Sequence, residues 1–286
     1  MSDTPSETDT AQILALLRKQ AEQSRYALEL RVQRAWDDEM AKPRNADPKR
    51  LVRHGYKVYS QNDEDGIIAE IFRRIGTNSR TFVEFGVETG IECNTAKLLV
   101  EGWRGLWIEA NAASSAAIRQ NFASFIADRQ LVLQESRVTA ENINGLIGQG
   151  GYSGEIDLLG IDIDGNDYWV WKAIDVVAPR VVVIEYNATL RPPMSLVVPY
   201  RADARWDGSN RYGASLEALV RLAAAKDYRL VGCSIAGVNA FFVRADLTGD
   251  RFLEPATAQE HYEPPRHYFH MLPSGHRSRP GPFVPV

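Results

Sequence analysis

The stretch Phe82-Val83-Glu84-Phe85-Gly86-Val87-Glu88-Thr89-Gly90 decides the fold. A short apolar run closes on an acid and then on a Gly-x-x-x-Gly turn, which reads as a buried strand feeding a tight loop. Glycine is needed where the backbone turns sharply, or where another group must approach with no Cβ in the way. A second apolar run, Gly105-Leu106-Trp107-Ile108-Glu109, again ends in a carboxylate.

Outward from these two runs, β-branched segments alternate with helical patterns, the signature of a mostly parallel sheet covered by helices on both faces. Strands are expected at 81–85, 105–109, 131–134, 156–162, 180–186, 229–233 and 240–244. The last two are separated only by Ser234 to Asn239, so the final strand is expected to return antiparallel as a hairpin. The fold class is therefore α/β and Rossmann-like, with seven strands. The chain divides into an N-terminal tail and helix (1–50), a main domain (51–250) and an extended, Pro-, His- and aromatic-rich tail (251–286) read as a lid. In the N-terminal segment Ile13, Leu16, Leu17, Leu28, Val32 and Trp36 form an intermittent apolar stripe, a surface for packing on the domain or on a second copy of the chain.

Composition narrows the function. With 33 basic and 37 acidic residues, the net charge of −4 leaves no electrostatic footprint for a nucleic-acid backbone. Apolar runs fall short of the ~18 residues that span a bilayer, and the polar start lacks a signal peptide's charge and apolar core; the sequence reads as cytoplasmic with no membrane partner. Two cysteines, Cys93 and Cys233, are too few for a disulfide framework or a structural zinc site.

In nucleoside-binding folds of this class, an acid at the end of the second strand accepts hydrogen bonds from both ribose hydroxyls, and Glu109 fits that role. NAD is the natural competitor, but its fingerprint needs a close glycine pair that this turn lacks. The segments YSQNDEDG at 59–66, FVEFGVETGIECNT at 82–95 and EGWRGLWIEAN at 101–111 together resemble the FkbM-type family of S-adenosylmethionine-dependent methyltransferases, over roughly residues 55–245. The resemblance implies a seven-stranded class I methyltransferase sheet and an S-adenosylmethionine site of Ser60, Gln61, Glu84, Gly86, Gly90, Asn94, Thr95 and Glu109. Glu84 would meet the methionine amino group, and Asn94 and Thr95 would open a helix toward its carboxylate. Glu88 departs from the family pattern. Members often methylate hydroxyls of sugars or natural products, so the acceptor implied is a small molecule or glycan.

A second cluster, Gly160-Ile161-Asp162-Ile163-Asp164-Gly165-Asn166-Asp167, closes the fourth strand, and Ile184-Glu185-Tyr186-Asn187 closes the fifth. Active sites of open α/β sheets lie at the carboxyl ends of strands. Oxygen donors from two neighbouring ends can share one hard cation such as Mg2+. By similarity to catechol-type and sugar O-methyltransferases, Asp162, Glu185 and Asn187 are candidate metal ligands, with Asp162 and Asp164 as candidate catalytic residues. The alternatives are a metal-independent enzyme using Asp164 or a tail histidine (His267 or His270) as base, helix capping by Asp164 or Asp167, and a non-catalytic scaffold. Likewise Asp63 or Asp65 is expected to cap the helix that follows it.

Overall fold

The computed structural model describes residues 7–271, with side chains from 10 to 269. Seven strands form one sheet: β1 Thr81–Phe85, β2 Arg104–Glu109, β3 Leu131–Glu135, β4 Gly154–Ile161, β5 Val177–Glu185, β6 Tyr228–Cys233 and β7 Asn239–Arg244. Their order is β3-β2-β1-β4-β5-β7-β6; β1 to β5 run parallel, and β7 is antiparallel to both β5 and β6. The expected seven strands and the antiparallel last strand are both present. What the hairpin alone did not foretell is that β7 inserts between β5 and β6.

The helices are α1 Glu7–Met40, α2 Glu64–Ile75, α3 Ala96–Val100, α4 Ala112–Asn121, α5 Ala123–Ala127, α6 Ile143–Gln149, α7 Asp167–Ala173, α8 Leu216–Ala225, α9 Ala245–Thr248 and α10 Ala258–His261. Because side chains alternate across a strand, neighbouring residues feed opposite cores. Val83, Phe85, Ile161 and Ile184 pack with α6, α7 and α8, whereas Phe82, Leu158, Val181 and Phe241 pack with α2, α3 and α4. The same alternation sends Glu84, between Val83 and Phe85, to the α2–α3 side.

A third, small core holds the end of α1 to the domain: Val32 joins Val52, Ile235, Ala236, Val238 and Phe269. Trp36 meets Phe269 edge to face at 5.7 Å. Of the α1 stripe, only Leu28, Val32 and Trp36 are covered, and Ile13, Leu16 and Leu17 are exposed.

The described part of the C-terminal tail docks beside this junction. Buried Arg266 donates to the Ile235 carbonyl and pairs with Glu263 and Glu39, while Tyr262 donates to the Ala188 carbonyl. Residues 272–286, including His276 and the last part of the segment read as a lid, lie outside the described residues, as does the His270 side chain.

Two expected caps take other roles. Asp63 makes no capping bond on α2; its carboxylate accepts from the Ile235 amide across the fold. Asp65 instead closes the preceding loop, accepting from the amides of Val58, Tyr59 and Ser60. A carboxylate that reaches several converging amides satisfies more donors than a single cap would.

Candidate active site

A cleft of about 720 Å³ opens at the carboxyl ends of β1, β2, β4 and β5. Its size is within the range of pockets that hold drug-sized ligands. Gln61, Glu84, Gly86, Asn94, Glu109, Asp162, Asp164 and Glu185 all line it.

The loop after β1 is shaped by two glycines. Gly86 has φ +78°, and a Cβ there would lie 1.4 Å from the Asp162 carbonyl oxygen, so only glycine lets the β1 and β4 ends converge. Gly90, at φ +75°, lies against the Trp107 and Phe122 rings; it shapes the loop from behind. Between them Glu88 holds a left-handed φ of +49°, a strained conformation for a non-glycine residue in a candidate binding loop.

Glu84 is 2% exposed, and its carboxylate gathers the loop: it accepts from the amides of Asn94 (2.9 Å) and Thr95 (3.0 Å) and from the Thr95 hydroxyl. Gly160 opposite leaves room for it, since a Cβ there would press on the Glu84 side chain at 2.7 Å. Burial pushes the Glu84 carboxyl up, against the hydrogen bonds that favour its ionised form. Thr95 also accepts from the Trp107 indole, which makes it a link between loop and β2. Ser60 is wholly buried; it accepts from the Asp65 amide, and it is Gln61 beside it that reaches the cleft.

Glu109 accepts from the Glu88 amide at 2.8 Å through one oxygen and from the Asn111 amide at 2.7 Å through the other. Each carboxylate oxygen keeps a second lone pair, so the group can still accept from a pair of hydroxyls. The Glu88 bond ties the β1 loop to the end of β2.

The acidic side of the cleft holds Asp162, Asp164 and Glu185, whose ligand oxygens lie within 4.8 Å of one another. Burial, then the charges of Asp167 and Asp164, push the Asp162 carboxyl well above the usual carboxylate range. Burial, then Asp162, do the same to Glu185. Burial alone raises Asp164, whose φ is +56°. Asp167 makes no α7 cap; it accepts from the Ile163 and Gly165 amides, shaping the loop that carries Asp164.

Asn187 does not join this group. Its amide donates to the carbonyls of Asn210 and Tyr212, and its oxygen accepts from the Thr189 amide and hydroxyl. A side chain so engaged anchors the 188–213 loop, and its expected place among the metal ligands is withdrawn. Sequence reasoning missed Asn239, the first residue of β7, which lines the cleft beside Glu185. Nothing in its local sequence sets it apart; only the strand order brings it there.

One wall of the cleft is the loop between β5 and α8. Asn166 donates to the Arg201 carbonyl and Trp169 to the Val198 carbonyl. Arg137 donates to the Ala204 carbonyl, and Tyr200 accepts from the Ala140 amide. The loop thus runs from the end of β5 to the connection after β3, bringing Arg205 and Trp206 to the cleft. No histidine is among the described residues that line it. His261 is buried, with burial and then Arg50 pushing its imidazole down to about 4; His267 is exposed.

No family model matches this sequence, and no curated protein matches it. Among solved structures the chain is similar to an O-methyltransferase from Bacillus cereus in complex with SAH, at 14% identity and a TM-score of 0.39, covering 76% of this chain and 89% of that one. It is also similar to the magnesium protoporphyrin IX methyltransferase ChlM from Synechocystis PCC 6803 with bound SAM (10%, 0.43, 64% and 79%). A third is the glycopeptide N-methyltransferase MtfA complexed with sinefungin (13%, 0.41, 64% and 87%). Among the described residues, no helix is long and apolar enough to cross a membrane.

Proposed function

We propose that this chain is an S-adenosylmethionine-dependent methyltransferase of FkbM type that methylates a hydroxyl of a sugar, natural product or other small polar molecule. The observation that carries the reading is the pairing of Glu84 and Glu109 across the glycine turn at the carboxyl edge of the sheet. The residues fit the cofactor: Gly86 lets the β1 and β4 ends close beneath the cleft, Glu109 keeps lone pairs for ribose hydroxyls, and Glu84 holds Asn94 and Thr95 in place. When bound, the cofactor supplies an electrophilic methyl group.

The chain's own contribution is to hold the acceptor near Asp162, Asp164 and Glu185. A divalent cation such as Mg2+ there would lower the pKa of an acceptor hydroxyl and orient it. The second reading, favoured by the raised Asp164 carboxyl in a cleft, is that Asp164 takes the proton without a metal. Loss of turnover in EDTA, restored by Mg2+, supports the first; EDTA-insensitive turnover abolished in Asp164→Asn supports the second.

Calorimetry tests the core claim. The protein should bind S-adenosylmethionine, and Glu109→Ala should weaken binding at least tenfold. No heat with this molecule, alongside heat with a nicotinamide dinucleotide, would overturn it; an inert scaffold would give heat with neither.

A further inference from the structure

The buried polar groups of the cleft point to a donor set larger than the three carboxylates. Asn239 is 3% exposed, lines the cleft, and pairs in antiparallel register with Glu185. Directly opposed residues of antiparallel strands share a sheet face with Cβ atoms about 5 Å apart. The amide orientation is set from behind: Asn239 Nδ2 donates to Glu64 Oε1 at 3.0 Å. Glu64 is itself fixed at the head of α2, accepting from the Asn62 amide at 2.7 Å and the Asn62 side chain at 3.1 Å.

With the donor end committed, the acceptor end has no partner: Asn239 Oδ1 is buried without a hydrogen bond among the described residues, as is Glu185 Oε2. A buried carbonyl left unsatisfied is destabilising, and such groups call for an explanation. Two unsatisfied oxygens on adjacent strands, beside the carboxylates of Asp162 and Asp164, can both be satisfied by one cation.

We propose that Asn239 Oδ1 is a fourth protein ligand, with Asp162, Asp164 and Glu185, of a single divalent cation of the Mg2+, Mn2+ or Ca2+ class. Oxygen ligands sit about 2.0–2.6 Å from such ions, so a pair across one ion is separated by about 4–5 Å. The 4.8 Å span of the three carboxylates meets that limit. All-oxygen donors select hard cations over zinc or copper. A neutral carbonyl as the fourth ligand adds coordination without a further negative charge beside three carboxylates. The catalytic purpose of the ion rests on the methyltransferase reading; its binding does not.

The test therefore uses the full chain without methyl donor. Mn2+ binding is followed by electron paramagnetic resonance, and metal-dependent thermal shift by scanning calorimetry, for wild type, Asp162→Asn, Glu185→Gln, Asn239→Thr and Glu64→Gln. Threonine keeps a hydroxyl donor for Glu64 and suits a strand, but removes the carbonyl. Expected are one Mn2+ per wild-type chain, loss in the two carboxylate variants, and affinity at least tenfold weaker in Asn239→Thr. Glu64→Gln keeps a side-chain oxygen that can accept from Asn239 Nδ2 and so keeps the amide orientation, and affinity should stay within threefold of wild type. Should Asn239→Thr not fold, Asn239→Leu replaces it with the same expectation. Wild-type affinity in a folded Asn239 variant, equal losses in Glu64→Gln and Asn239→Thr, or no Mn2+ on wild type overturns the proposal. A parallel titration with S-adenosylmethionine separates this failure from failure of the methyltransferase reading.

Discussion

Gly86→Ala is the most informative single perturbation of the cleft. The new Cβ would start 1.4 Å from the Asp162 carbonyl, and real Cβ contacts almost never fall below 3.0 Å, so the β1 loop and the β4 end must separate by about 1.6 Å. That movement stretches the Gly86 amide bond to Ile108 (3.1 Å) and the Asp162 amide bond to Phe85 (3.2 Å). Losing both costs about 1 kcal/mol each, and a side chain in left-handed backbone adds about 1–2 kcal/mol. The expected destabilisation is about 3–4 kcal/mol, which lowers Tm by roughly 10 °C in a domain of this size. S-adenosylmethionine binding should be lost with it, because the loop carries Glu88, whose amide meets Glu109. Gly76→Ala is the matched control: its φ is +70°, yet nothing lies within 4 Å of the added Cβ. With ψ at 171° it sits in extended positive-φ backbone and should lose only that backbone contribution, about 1–3 kcal/mol, and bind normally. Thermal melts and calorimetry on both variants decide the matter. If Gly86→Ala melts and binds like Gly76→Ala, the convergence of the β1 and β4 ends does not shape the site.

Glu84→Gln sets an amide donor against the donors of Asn94 or Thr95; it should destabilise by about 1–3 kcal/mol and weaken cofactor affinity, read from urea titrations and calorimetry. His261 has its imidazole lowered to about 4, so the unfolded chain takes up its proton first as pH falls; stability present above about 6.5 is lost toward 4. His261→Leu should flatten that part of the Tm against pH curve. Arg266→Ala strips one of two cationic partners from Glu263, which is 1% exposed and keeps Arg44, and should cost about 1–3 kcal/mol. It should also free the end of α1, seen as faster amide exchange over residues 28–40.

Several features were legible in the sequence because they are local. The short, near-continuous apolar runs mark the strands, and the acids closing β1, β2, β4 and β5 lie at the cleft because parallel strands present their carboxyl ends on one edge. Glycine at 86 and 90 announced the turn, since left-handed backbone leaves few other residues. The roles of Asp63, Asp65 and Asp167 were not legible. Each resembles a helix cap in sequence, but Asp63 meets the Ile235 amide across the fold, while Asp65 and Asp167 turn back onto amides of the loops that precede their helices.

By itself, then, the sequence determined the strands and which of their ends carry carboxylates. Tertiary structure decided which polar groups remain available for ligand. It spent Asn187 on the 210–212 backbone and moved Asn239 next to Glu185 by inserting β7 between β5 and β6. The physical reason is that hydrogen-bond satisfaction is settled between segments distant in the chain, whereas strand formation is settled within a few residues.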